Sequence, residues 1–259
     1  MIKMVAFDID GTLYSRGERV ILDSTFSALR KLKENGILVT IATGRVHHNL
    51  MKGVLSDYYD YMVAGNGHIL INAKKDMLFQ QYFDPVETQL LVDFCHEREL
   101  GLILKMDDAC YLYANHESFN IPVWGSDGVE VFYSGFEDRH LSHGVNCAFV
   151  RCTPQDAKDF EKMSEHIGFV QTGNDQYDVY YKGLNKAVTL EYLLGSLGLS
   201  WENCMAIGDG ANDMEMIVHA GVGIAMGDGN ETLKEHADYV TKGSREDGIY
   251  FVLEEYGLL

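Results

Sequence analysis

Short, nearly continuous apolar runs recur along the chain, each ended by Gly, Asp, Asn or Thr and most of them followed by a stretch with helical spacing. Met4 to Phe7, Ile37 to Ile41, Tyr61 to Ala64, Cys204 to Ile207 and Val222 to Ala225 are such runs. Apolar on both alternations and rich in β-branched residues, they predict parallel strands covered on both faces. Between them, Phe26, Leu29 and Leu32 repeat at helical spacing, with Asp23 or Ser24 as cap and Gly36 as stop. A helix from Arg45 to Leu55 is expected after the second run. Leu190, Leu193, Leu194 and Leu197 mark another, capped by Asn185 and closed by Gly198, and Met214 opens one closed by Gly221. A short helix to His236, a strand at Tyr239-Val240 and a final helix from Asp247 complete the series. Strand, loop and helix in repetition predict a doubly wound parallel α/β sheet.

The pattern breaks in the middle. Ile69 to Ile71 and Leu78 to Phe83 flank the turn Asn72 to Asp76 and predict a hairpin leading out of the sheet. From 84 to 182 the strand-end acids and glycines stop. Pro85 to Arg98 and Pro154 to His166 are helix-like there, whereas Leu102 to Lys105, Cys110 to Tyr113, Val145 to Arg151 and Tyr177 to Tyr181 are strand-like. A unit of about a hundred residues can carry its own core. The expected organisation is one domain from 1–83 and 183–259, and a second α/β domain, 84–182, inserted into it.

Lys and Arg total 21 against 39 Asp and Glu, a formal net charge of −18, which disfavours nucleic acid and anionic membrane surfaces as partners. A small anionic ligand then needs a local cationic site or a metal. The five Cys are odd in number and show no CxxC spacing, so reduced thiols in a cytoplasmic protein are expected. No apolar run approaches a membrane span of about 18 residues, and no leader pattern precedes the first strand.

The candidate chemistry lies at the strand ends, where open α/β sheets bind ligands. Asp8 and Asp10 follow the first run two positions apart. Continued strand would put both on one face, where two anions repel unless a cation such as Mg²⁺ intervenes. Asp10 and Gly11 are also ordinary turn formers. Thr43 and Gly44 end the second run and suit a phosphate cradle, although Thr43 also fits a helix cap. Asp209 supplies a third strand-end acid, and Lys186, in the first turn of its helix, opposes the helix dipole, as residues at functional sites often do.

Four motifs in order, Asp8-Ile9-Asp10-Gly11-Thr12, Thr43-Gly44-Arg45, Lys186 and Gly208-Asp209-Gly210-Ala211-Asn212-Asp213, resemble those of the haloacid dehalogenase-like (HAD) superfamily phosphatases, in the Cof-type branch with a large α/β cap. The resemblance spans essentially the whole chain. It implies a Rossmann-like core with an inserted α/β cap of type IIB. Only 35 positions separate Asp8 from Thr43, against 143 between Thr43 and Lys186, which puts the cap in the second interval. The implied activity is Mg²⁺-dependent hydrolysis of small phosphorylated metabolites through an aspartyl phosphate. Asp8 is the implied nucleophile and Asp10 the general acid and base. Phosphate falls to Ile9, Thr43, Gly44, Lys186 and Asn212, the metal to Asp8, Asp209 and the Asp10 carbonyl, and Asp213 stands behind Lys186 or a metal-bound water. The expected partner is that metabolite, with no nucleic acid and no membrane, for a monomer or small homo-oligomer. Lys105, His116, Trp124, Tyr180 and Lys182 are candidates for reading the leaving group. Rival readings are a phosphotransferase of the phosphomannomutase kind and a phosphate-binding module with a vestigial site.

Overall fold

The computed structural model describes residues 1–15, 20–46, 55–106, 108–115, 132–134 and 138–259. Strand β1 (Met4–Phe7) lies inside an eight-stranded sheet, between β2 (Leu38–Ala42) and β12 (Cys204–Gly208), parallel to both. Beyond β2 come β3 (Tyr61–Ala64), β4 (Ile69–Asn72) and β5 (Met77–Gln80); beyond β12 come β13 (Val222–Ala225) and β14 (Tyr239–Val240). Pairing is parallel from β14 to β3 and antiparallel for β3–β4 and β4–β5. The turn between β4 and β5 is closed by Asn72, which donates to Asp76 (2.9 Å) and accepts from its N–H (3.0 Å).

All four residues of β1 are fully buried, because both faces of the sheet are covered. Val5 and Phe7 pack with Leu29 and Leu32 of α1 (Asp23–Glu34) and Val252 and Leu253 of α7 (Gly248–Glu255). Met4 and Ala6 pack with Leu190, Leu193 and Leu194 of α4 (Lys186–Ser196) and Met216 of α5 (Met214–His219). Phe7 stands level with both Ile41 and Ile207. The loops after β1, β2 and β12 therefore emerge side by side. The chain leaves β1 towards β2 and later returns on the β12 side, which makes this a topological switch point, where such sheets bind ligands.

Between β5 and α4 the chain builds a second sheet, ordered β10 (Ile167–Gly173), β11 (Gln176–Tyr181), β9 (Val145–Arg151), β6 (Gly101–Met106), β7 (Cys110–Ala114) and β8 (Phe132–Ser134). Its pairs are antiparallel except β7 with β8. Helices α2 (Pro85–Glu97) and α3 (Pro154–Glu161) meet through Phe94 and Phe160, whose ring centroids are 5.2 Å apart. All five Cys are buried free thiols. Among the described residues no helix is long and apolar enough to cross a membrane.

Four local expectations need correction, the first being that the hairpin of β4 and β5 does not lead out of the sheet but extends its edge beyond β3. The helix expected from Pro154 to His166 stops at Glu161, because Ser164 Oγ accepts the N–H groups of His166 (3.3 Å) and Ile167 (2.9 Å) and turns the chain. The residues released there form β10, an unforeseen strand that pairs with β11. Neither Asp23 nor Ser24 caps α1: its N-cap is Leu22, and Ser24 Oγ instead donates to Asp247 (2.5 Å). Of the helix expected from Arg45 to Leu55, residues 47–54 lie outside the described residues, and Arg45 and Val46 are not helical.

Candidate active site

β1 stops at Phe7, so Asp8 and Asp10 do not share a strand face. The chain instead turns tightly: the Ile9 carbonyl accepts from the N–H groups of Thr12 (3.3 Å) and Tyr14 (2.7 Å), and Gly11 takes a φ of +93°. The two carboxylates consequently have different surroundings. Asp8 is buried; Asp10, its side chain 55% exposed, is gripped by Arg45 through Nε (2.7 Å) and Nη2 (2.5 Å). Arg45 also lies 5.6 Å from the ring centroid of Tyr14.

Asp8 faces Lys186. This side chain is 1% exposed, with Nζ 2.7 Å from Asp8 Oδ1 and 2.6 Å from Asp213 Oδ1. Burial opposes its charge, but Asp213 and Asp8 outweigh that and hold the ammonium above its ordinary range. The unfavourable place on the helix dipole is thereby explained, since the Asn185 side chain starts α4 by accepting the Val188 N–H (3.0 Å) and the two carboxylates draw in the lysine that follows. Asp213 Oδ2 accepts the N–H groups of Asp209 (3.0 Å) and Gly210 (2.9 Å), which ties Lys186 to the loop after β12.

Carboxylate oxygens of Asp8, Asp209 and Asp213 all lie within 4.8 Å of one another, and all three residues are buried. The Asp8 carboxyl is raised well above the usual range by burial and by repulsion from Asp213, with Lys186 opposing. One ammonium cannot balance three carboxylates. Hard oxygen donors short of positive charge suit a hard divalent cation such as Mg²⁺. Gly11 admits Asp209 to this group, for a Cβ on Gly11 would lie 2.3 Å from Asp209 Oδ2. The Asp10 carboxylate stands apart from the cluster, with Arg45.

Of the expected phosphate-binding residues, Thr43 is buried at the end of β2, its Oγ1 accepting the Arg45 N–H (3.1 Å). The Ile9 side chain is fully buried, which leaves its backbone N–H as the group able to meet phosphate. Asn212 donates through Nδ2 to Asn66 Oδ1 (3.0 Å). Asn66 was not foreseen as a site residue. The signal was present in Gly65-Asn66-Gly67, where all three residues have positive φ (58°, 52° and 106°). The Asn66 N–H donates to the Thr43 carbonyl (2.9 Å), and a Cβ on Gly67 would strike the Asn185 carbonyl at 2.3 Å. This turn is wedged between the β2 loop and the start of α4.

Asp178 of β11 was also missed. It accepts from Asn66 Nδ2 (3.0 Å) and lies 3.4 Å from Nζ of Lys105, which donates to the Gly44 carbonyl (3.3 Å). Among the leaving-group candidates, Lys105 thus reaches the strand-end loops. Lys182 and Tyr180 pack near Gly168 instead, with Lys182 Nζ donating to the Ser164 carbonyl (3.0 Å). His116 and Trp124 lie outside the described residues.

The chain is 32% identical over 268 residues to a Streptococcus pyogenes protein named as a bifunctional phosphatase and peptidyl-prolyl cis-trans isomerase; the match takes in all of this chain but 54% of that relative, so the chain spans about half its length. It is 28% identical over 249 residues to the 5-amino-6-(5-phospho-D-ribitylamino)uracil phosphatase YcsE of Bacillus subtilis (strain 168), covering 96% of this chain and 93% of that one. A solved HAD subclass IIB sugar phosphatase superposes with a TM-score of 0.88 at 26% identity, over 99% of this chain and all of that one. Residues 5–253 match the family described as haloacid dehalogenase-like hydrolase, and the chain belongs to that family of enzymes.

Proposed function

We propose that this protein is a Mg²⁺-dependent phosphatase of small phosphorylated metabolites, sugar phosphates or similar monoesters, that works through an aspartyl phosphate on Asp8. The observation that carries this reading is the placement of Asp8: at the mouth of the central strand, buried, 2.7 Å from Lys186 and grouped with Asp209 and Asp213. The sugar and ribitylaminouracil phosphatases among its relatives support the substrate class.

In this reading an Asp8 carboxylate oxygen attacks phosphorus as the ester P–O bond breaks, and Asp10 gives its proton to the leaving oxygen. Water then attacks the phosphorus of the acyl phosphate while Asp10 takes its proton. Orthophosphate leaves and Asp8 is free again. Asp10 must exchange Arg45 for substrate in each cycle. Lys186, the Thr43 hydroxyl, the N–H groups of Ile9 and Gly44, and Asn212 hold the phosphate oxygens, and Asp213 positions Lys186. Phosphoryl transfer needs little beyond such positioning and charge stabilisation. Asp8, Asp209 and the Asp10 backbone carbonyl would hold Mg²⁺, which neutralises the charges of carboxylate and phosphate as they meet. Segment 84–182 acts as the cap, excluding water and reading the leaving group with Lys105 among its contacts.

A screen of phosphorylated metabolites, read as free phosphate, tests the proposal. Turnover with Mg²⁺, its loss in EDTA, and a folded but inactive Asp8→Asn are the expected results. Full activity in EDTA removes the metal, and near-native turnover by Asp8→Asn removes the nucleophile.

A further inference from the structure

A chain of hydrogen bonds runs from the second sheet across the phosphate loop to Asn212: Lys105 lies against Asp178, Asp178 accepts from Asn66 Nδ2, and Asn66 Oδ1 accepts from Asn212 Nδ2, the last two bonds both 3.0 Å. The Asn66 amide lies over Gly44, where an added Cβ would come within 3.2 Å of both its terminal atoms and of Asp178 Oδ2. An amide can be placed either way round, and the network decides. A carboxylate paired with Lys105 accepts and does not donate, so Asp178 obliges Asn66 to present its NH₂ group. The Asn66 oxygen then faces Asn212 and obliges that residue to present its own NH₂. One of these hydrogens is used on Asn66, and the other remains for a phosphate oxygen.

We infer that Asn66 is a positioning residue that sets the donor face of Asn212 and takes its polarity from Asp178, so that seating the second sheet on the core and orienting the phosphate grip are one event. This rests on the phosphatase reading, in which Asn212 holds phosphate. It adds two residues, from β11 and from the turn after β3, to which that reading gives no part.

The test uses the full-length protein with Mg²⁺, an aryl phosphate as substrate and orthophosphate as competing ligand. Asn66→Asp keeps the acceptor for Asn212 but sets a carboxylate against Asp178; Asp178→Asn leaves Asn66 free to turn over. Losing a correctly aimed donor to a charged group weakens binding about tenfold or more. KM and the orthophosphate inhibition constant should both rise by about that factor in either variant, with kcat much less affected. In Asn212→Ala protein the Asn66→Asp change should add little, because the two act in series. The double variant Asn66→Asp with Asp178→Asn restores a donor facing an acceptor and should recover most of the loss. Native constants in both single variants overturn the inference. So does an undiminished effect of Asn66→Asp in Asn212→Ala protein, or a double variant no better than the singles. Should Asn66→Asp fail to fold, Asp178→Asn carries the same comparison. Failure of the phosphatase reading would show in the native protein as absence of turnover, whereas failure of the relay leaves native turnover intact.

Discussion

Replacing Lys186 with Met tests how the acidic cluster is held together. The methionine side chain is nearly as long but carries neither the charge nor the N–H donors of the ammonium. At an effective dielectric constant of about 20, ion pairs of 2.7 and 2.6 Å are worth about 6 kcal/mol each. Removing the ammonium forfeits both and exposes the mutual repulsion of Asp8 and Asp213, at least about 3 kcal/mol for oxygens within 4.8 Å. Relief of the lysine's own desolvation, several kcal/mol, offsets much of this. Proton uptake offsets more, and a net loss of about 3–5 kcal/mol remains, the usual result of deleting one partner of a buried pair. The pH dependence has a definite sign. Asp8 is already raised by burial and Asp213, and without Lys186 it rises further, so the folded variant binds a proton more tightly than the unfolded chain. Stability from such a group is full below the unfolded carboxyl range and fades as pH climbs through the folded value. The deficit should therefore be smaller at pH 5 than at pH 8, and Mg²⁺ should stabilise the variant more than the native protein. Urea unfolding of both proteins at the two pH values, with Mg²⁺ and with EDTA, measures all three effects. A variant within about 1 kcal/mol of native at pH 8 in EDTA, or a deficit independent of pH, would refute the reasoning.

Gly11→Ala should weaken Mg²⁺ binding about 10- to 100-fold, the usual effect of disturbing a ligand's support, because a Cβ 2.3 Å from Asp209 Oδ2 at a φ of +93° must displace that carboxylate; a titration of stability against Mg²⁺ checks it, and unchanged affinity contradicts it. His68 is fully buried, donating from Nδ1 to the Gly65 carbonyl (2.8 Å) and accepting the Tyr181 N–H on Nε2 (3.3 Å), and burial depresses it to about 4. A base so depressed stabilises the fold above its unfolded value of about 6.5, and as pH falls towards 4 the native protein should lose about 3 kcal/mol that His68→Gln does not lose; parallel urea midpoints for the two across that range would be the contrary result. Asp10→Ala should lose less turnover in the first step on an aryl phosphate than on a sugar phosphate, since a good leaving group needs little protonation, and the phosphoenzyme should accumulate as a burst of phenol in rapid-quench experiments. Equal losses on both substrates without a burst assign Asp10 another role.

Lys186 and Asp8 are 178 positions apart, yet their motifs were legible because each sits at the edge of an element that short-range patterning defines. A four-residue run such as Met4–Phe7, apolar on both alternations, specifies burial on two faces, and that in turn specifies a parallel sheet with helices on either side. Glycines and acids at the ends of such runs mark where the chain turns at the loop mouth. Local periodicity was enough for the parallel strands of the first sheet, for most helices and for the positions of the strand-end acids. Tertiary structure alone decided which partner each side chain met. Asp10 joins Arg45 and not Asp8 because the strand ends at Phe7, three residues short of carrying both acids on one face. Lys186 is buried because two loops deliver carboxylates to it, and β10 forms because β11 offers an edge that outweighs continuation of α3. Asn66, in the turn after β3, and Asp178, 112 positions away in the second sheet, face each other only once both sheets are seated. Propensity and periodicity are summed over neighbouring residues and register burial, whereas a hydrogen bond between distant side chains depends on how separate elements pack.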